Sequence, residues 1–187
     1  MAGIEVMAVA VTFIVATVGL VRGPSKELGV TMALVVMMAV STQFDALVDF
    51  NELPGKVNNA LQAVGLESDS VLQQRTTVWY LYTAATIFTA FLAYHGHETL
   101  KFGFKDPPGV GGAILGWLAG ALNGYLIFGT IWYYLWRLDY PIQQYVWFEY
   151  RFTELAQNLI NLLPQNLLSG VVLSGLALAL LWWKILR

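Results

Sequence analysis

The chain has 187 residues, of which 57% are apolar and only 12% charged, whereas soluble domains run at roughly 45 to 50% apolar and about 25% charged. This is a membrane composition, and it excludes a soluble enzyme domain. Ten Lys and Arg against twelve Asp and Glu leave no basic field to hold nucleic acid, and the absence of cysteine removes disulfides, thiolate nucleophiles, iron–sulfur clusters and cysteine-based zinc sites.

Residues 4 to 21 are apolar apart from Glu5 and give about 27 Å of helix, enough to span. The residues before Ile4 supply no basic n-region, so this segment reads as an uncleaved anchor. Arg22-Gly23-Pro24 ends it, because Pro24 disfavours the α region at Gly23, and Ser25 is expected to cap the next helix with Glu27 in its first turn. Residues 28 to 40 are apolar or small, after which Ser41, Thr42, Gln43 and Asp45 interrupt. A crossing that continues to residue 48 needs Gln43 and Asp45 at the headgroups or facing protein, since a centred acid is disfavoured by about 2.5 to 3.5 kcal/mol. A re-entrant hairpin is the alternative.

Leu53, Val57, Ala60, Leu61 and Val64 recur every three or four residues opposite Lys56, Asn59 and Gln62, the pattern of a short amphipathic helix on the membrane surface, ended by Gly65. Ser70-x-x-Gln73 reads as a capping box for a third membrane helix, whose apolar body covers residues 78 to 94. The fourth, residues 112 to 136, is about 37 Å long and should tilt or protrude. Gly112, Gly116, Gly120 and Gly124 repeat every four residues along it, lining one face with bare backbone against which another helix can pack. Whether that helix is internal, from a second copy or from another protein stays open. Asn123 falls at mid-membrane, where its amide is expected to bond between helices.

Residues 137 to 163 form a second amphipathic stretch, with Phe148, Phe152, Leu155, Leu159 and Leu162 opposite Thr153, Glu154, Gln157, Asn158 and Asn161, read as an interfacial helix. Pro164 ends it. Residues 167 to 185 offer a fifth span, closed by Trp182, Trp183, Lys184 and Arg187 as an aromatic and cationic anchor. The expected fold is an all-α, polytopic transmembrane bundle of four to five spans with two interfacial amphipathic helices, divided into a core at 1–136 and an aromatic helix plus anchor at 137–187. With five spans the termini lie on opposite sides, and the excess of cations on one side places the C-terminus in the cytoplasm.

Several features follow one another in a familiar order: Glu5 inside the N-terminus, Arg22-Gly23-x-x-Lys26-Glu27 turning into the second span, and Asp106 ahead of the row Gly112, Gly116, Gly120 and Gly124. Over roughly residues 1 to 136 this resembles the colicin V production protein (CvpA-like) family of small bacterial inner-membrane proteins. The chain departs from the family at Asn123, where a basic residue is common, and at Pro107-Pro108, which displaces a basic residue after the Asp. The resemblance implies a protein of the bacterial cytoplasmic membrane linked to toxin production or export and envelope maintenance. An assembly or scaffolding role follows, with the hairpin residues Glu5, Arg22, Gly23, Lys26 and Glu27 and the glycine face docking other membrane proteins or a second copy.

Arg22 and Glu27 are either a charge pair that fixes the hairpin or, more commonly for such positions, an independent anchor and a helix N-terminal acid. Glu5, Asp45 and Asp49 are candidates for an ion path, weakened by their placement near span ends. His95-Gly96-His97-Glu98 is the one histidine cluster; on a helix residues two apart point about 200° apart, so a shared metal is not expected. His95 as an axial tetrapyrrole ligand is the one pigment use, against the ordinary reading of solvated interfacial histidines. No cofactor or metal is expected, and membrane lipid is the expected bound companion. No nucleophile with an adjacent base, phosphate loop or carboxylate pair in a cleft can be assembled, so the chain is not read as an enzyme. Two other functions compete: an accessory subunit of a large respiratory or photosynthetic complex, and a small oligomeric transporter or channel.

Overall fold

The computed structural model describes residues 3–66, 70–96, 102, 104–144 and 153–186, and these contain helices and turns with no strand. The helices are α1 (Ile4–Arg22), α2 (Pro24–Val48), α3 (Leu53–Gln62), α4 (Val71–His95), α5 (Gly109–Arg137), α6 (Glu154–Ile160), α7 (Pro164–Leu167) and α8 (Gly170–Ile185), with a 3-10 turn at Pro141–Gln144 after α5. Four of them, α1, α2, α4 and α5, are long and apolar enough to cross a membrane. The chain is an all-α, multi-pass membrane protein.

A single residue separates α1 from α2. Gly23 adopts φ +86°, which a residue with a Cβ rarely does, and Pro24 then takes the first helical position, where its missing N–H loses nothing. α2 continues unbroken for 25 residues, so the second segment is one helix long enough to cross and is not a hairpin. Of its polar end, Asp45 is buried, while Gln43 is exposed and its Nε2 donates to Ser174 Oγ at 3.0 Å. α3 forms where the spacing predicts it and turns off at Gly65, φ +78°. Its buried face differs from the expected one, because Leu53, Pro54 and Asn58 point inward while Ala60 and Val64 are exposed. Ser70 Oγ accepts the N–H of Gln73 at 3.1 Å and opens α4.

Two departures concern the C-terminal third. The expected interfacial helix is far shorter than its apolar pattern: α6 has seven residues, capped by Thr153, whose Oγ1 accepts the N–H of Ala156 at 3.0 Å. Phe148 and Phe152 lie outside the described residues. Leu155 is 57% exposed, and Ala156 is the residue that α6 buries. The expected fifth span is also shorter. Leu167 belongs to the separate turn α7, and α8 has 16 residues, about 24 Å, short of the roughly 30 Å hydrocarbon thickness.

Ahead of α8, Leu163, Pro164 and Gln165 pack into the bundle. Tyr125 donates its hydroxyl to the carbonyl of Leu162, the ring of Pro164 lies against bare Gly129, and Gly170 lies beside Thr42. Leu162, Leu163 and Asn166 bond back to the carbonyls of Leu159, Ile160 and Leu163. Irregular backbone within a membrane bundle survives only when protein satisfies it in this way.

The apolar core falls into two clusters. One holds Val30, Leu34, Met38, Ala90, Leu126 and Leu173, the other Phe50, Val78, Tyr82, Trp132, Tyr134 and Leu163. α5 runs through both, and α1 packs along α5 more than along α2.

The two ends of the bundle differ in charge. At the end where α2 and α5 begin, the described residues carry Arg22, Lys26, Lys105 and Lys184 against Glu27 and Asp106. The end of α8 lies there too, with Lys184 Nζ 5.8 Å from the centre of the Phe102 ring. At the other end stand six acids, Glu5, Asp45, Asp49, Glu52, Asp139 and Glu154, against Lys56, Arg75 and Arg137.

Candidate functional site

Glu27 lies four residues past the Gly23 break, which carries its side chain into the bundle, where it is 0% exposed. A carboxylate so placed must be paired and hydrogen-bonded or it forfeits several kcal/mol. Its Oε1 accepts Arg22 Nε at 2.8 Å. Its Oε2 accepts the Tyr94 hydroxyl at 3.0 Å and Asn123 Nδ2 at 2.8 Å. Asn123, also 0% exposed, reaches the Glu27 carbonyl at 3.0 Å with the same nitrogen, and its Oδ1 accepts Thr31 Oγ1 at 2.7 Å. Arg22 closes the ring, with Nη1 donating to the Tyr94 carbonyl at 3.0 Å and the guanidinium 4.7 Å from the Tyr94 ring centre. One carboxylate thereby joins α1, α2, α4 and α5.

Asp106 fastens the same junction from outside. Its Oδ1 accepts the N–H of Ser25 at 2.9 Å, the orphan donor of the first turn of α2, and Phe102 N–H donates to the Ser25 carbonyl at 3.1 Å. Ser25 is therefore not the cap expected from the sequence. With Pro24 inside the helix the capping position falls on Gly23, which has no side chain, and Ser25 Oγ is buried without a partner. A Cβ at Gly23 would stand 2.7 Å from Asp106 Oδ2.

The glycine row is the other half of this unit. A Cβ at Gly116 would come 2.5 Å from the Gly19 carbonyl oxygen, one at Gly120 2.7 Å from that of Val15, and one at Gly124 2.7 Å from Thr12 Cα. The helix that covers this face is α1 of the same chain. Gly19, which the spacing did not single out, is the matching bare position, 2.8 Å from Gly120 Cα at its own notional Cβ. Gly112 packs differently: the Pro107 carbonyl just before α5 fills its Cβ space.

The remaining candidates separate. Lys26 is half-buried on the Glu27 turn. Glu5 lies at the far end of α1, about 26 Å from Arg22 by helical rise, and its Oε1 accepts Thr153 Oγ1 at 2.9 Å. The hairpin set is thus split between the two ends of the bundle. His95 is exposed, its Nδ1 3.2 Å from the Phe91 carbonyl oxygen and its ring 4.1 Å from that of Phe91. His97 and Glu98 lie outside the described residues, and among the described residues no three His, Cys, Asp or Glu come together as metal ligands.

A second buried acid sits about 27 Å further along α2 by helical rise. Asp45, 5% exposed, accepts the Tyr82 hydroxyl, the Tyr134 hydroxyl at 3.1 Å and Arg137 Nη1 at 2.7 Å. Tyr82 and Tyr134 stack at 3.7 Å and 13°, and Arg137 lies 3.8 Å from the Phe50 ring centre. Asp49, in contrast, turns its carboxylate to the N–H of Asn51 at 3.2 Å on the exposed end. Between Glu27 and Asp45 the core is Val30, Leu34 and Met38 packed with Leu126 and Ala90.

Sequence reasoning named Arg22, Glu27 and Asn123 but missed their companions. Thr31 was legible, since it stands four residues after Glu27 on the same helical face. Tyr94, Tyr82, Tyr134 and Arg137 carry no local mark that distinguishes them from ordinary interfacial aromatics and cations.

The fold and these two polar locks define a multi-pass helical membrane protein. Comparison with protein families, curated proteins and solved structures finds no match to the chain.

Proposed function

We propose that the chain is a non-enzymatic, CvpA-like protein of the bacterial cytoplasmic membrane that acts in assembly or scaffolding, with its cation-rich end in the cytoplasm. The observation that carries this reading is spatial. Arg22, Gly23, Glu27, Asp106 and the glycines from 116 to 124 are scattered over a hundred residues of sequence, yet they form one interlocked unit. Their chemistry is spent on holding helices: both oxygens of Glu27 are occupied by donors of the same chain.

With the glycine face covered by α1, docking falls to the outward surfaces, such as the apolar face of α4 that carries Ile87, Phe88 and Phe91. Those same surfaces also suit an accessory subunit of a larger complex. Among the described residues the packing between the Glu27 and Asp45 clusters holds no charged group, and its buried Thr86 bonds back to the Tyr82 carbonyl of its own helix, which counts against a transporter with charged groups or broken helices at the midplane.

Extraction in mild detergent, native-gel separation and mass spectrometry of each band tests the reading. Substoichiometric association with several membrane proteins supports scaffolding. A single large complex of fixed composition replaces it with the subunit role, and a bare homo-oligomer that conducts in planar bilayers overturns it.

A further inference from the structure

Along one side of the α1–α5 contact lies a cavity of about 350 Å³, walled by α1 and α5 and bounded at the acid-rich end by Leu159, Leu162 and Leu163. Its lining is apolar and aromatic, including Phe13, Trp117, Phe128 and Trp132. On α1 it runs from Glu5 to Ala16, about 16 Å of helix, which matches one leaflet of a hydrocarbon core roughly 30 Å thick. Val9 and Phe13 on its lip are 70% and 62% exposed, so it opens sideways toward the acyl region and not toward water.

Glu5 is the charged residue of the lining. Thr153 donates to its Oε1, and the carboxylate lies beside Gly3 at the start of α1. A carboxylate at the end of an otherwise apolar wall is matched best by a cationic N–H. The charge of the surroundings points the same way: acids outnumber cations two to one among the described residues at this end, which disfavours an anionic headgroup. A wall that takes one acyl chain therefore ends at a group that takes an ammonium.

We infer that this groove binds one acyl chain of an ammonium-headed phospholipid, with the chain along Phe13 and Trp132 and the headgroup ammonium donating to Glu5. The site is independent of the scaffolding role and rests on the membrane fold alone.

The test uses the full chain in mild detergent with equimolar phosphatidylethanolamine and phosphatidylglycerol of identical acyl chains, and native mass spectrometry of the lipid retained. One phosphatidylethanolamine per chain, favoured at least tenfold over phosphatidylglycerol, is expected. Glu5→Gln should reduce that preference to within twofold while keeping the chain bound, and Ala121→Phe, which fills the groove, should reduce retention of both lipids about tenfold. Equal retention of the two lipids by the unaltered protein, a preference for phosphatidylglycerol, or an unchanged preference in Glu5→Gln would overturn the assignment. The headgroup ratio of the unaltered protein decides the matter even if a variant fails to fold.

Discussion

Removing the Glu27 carboxylate leaves the Arg22 guanidinium beside Tyr94 without its counter-charge, and breaking a buried pair from one side costs about 3 to 5 kcal/mol. Glu27→Ala should therefore lower the melting temperature of the detergent-solubilised protein sharply. The charge swap Arg22→Glu with Glu27→Arg would rescue a simple ion pair. Here it should fail, because Tyr94 O–H and Asn123 N–H both aim donors at position 27, and a guanidinium there offers them no acceptor. Recovery of wild-type stability in the double variant would show that the pair acts alone. The sequence suggested a choice between a pair and two independent charges. What decided it, Tyr94 and Asn123 arriving from 67 and 96 residues away, lies in tertiary packing and leaves no trace in local spacing.

Among elements, the α1–α5 contact depends most on single atoms. Gly120→Leu would drive a side chain into the Val15 carbonyl and Ala16 Cα, which stand 2.7 and 3.0 Å from the notional Cβ; helix backbone cannot yield as a side-chain tip can, so the two helices must separate. Loss of the folded, extractable protein is expected. Gly175→Ala in α8 is the control, since nothing lies within 4 Å of its Cβ position and a mid-helix glycine weakens a helix by roughly 0.5 to 1 kcal/mol relative to alanine. A modest rise in thermal stability is expected, and a fall would show that α8 has a contact partner at that point. The four long helices and the capping of α4 were legible because hydropathy runs, Pro24 and Ser70 act locally. The length of α8 was not: the apolar pattern is continuous from 167, and only the fit of Pro164 against Gly129 and of Gly170 beside Thr42 splits α7 from it. The extent of α6 was misread for a related reason, since an amphipathic period states which face would be buried without stating that a helix persists.

For the whole molecule, the distribution of charge between the two ends makes orientation measurable. The chain has no cysteine, so single cysteines report without interference. Asn59→Cys on exposed α3 and Leu186→Cys beyond α8 sit at opposite ends of the bundle. By the positive-inside rule an impermeant maleimide should label position 59 in intact cells and position 186 only after lysis. The reverse pattern would invert the topology, and labelling of both from outside would mean that α8 does not complete its crossing. The sequence supplied the sign of this asymmetry, while the pairing of Asp45 with Arg137 shows that one acid and one cation of the acid-rich end neutralise each other inside the bundle.

The close seat of α1 against α5 also sets an order of events during synthesis. α1 ends at Arg22 and α5 begins at Gly109, so at roughly 5 to 20 residues per second the first helix waits about 5 to 20 s in the bilayer for its partner. Through that interval Gly19 has no opposing backbone, and Glu27 lacks Asn123. A chain stopped after residue 108 should accordingly insert but turn over several-fold faster than the full protein in a pulse-chase experiment, and equal lifetimes would count against this. Quality control at the translocon, acting on a nascent chain that closes only when its fourth long helix emerges, is where variants of the glycine row should first be discarded.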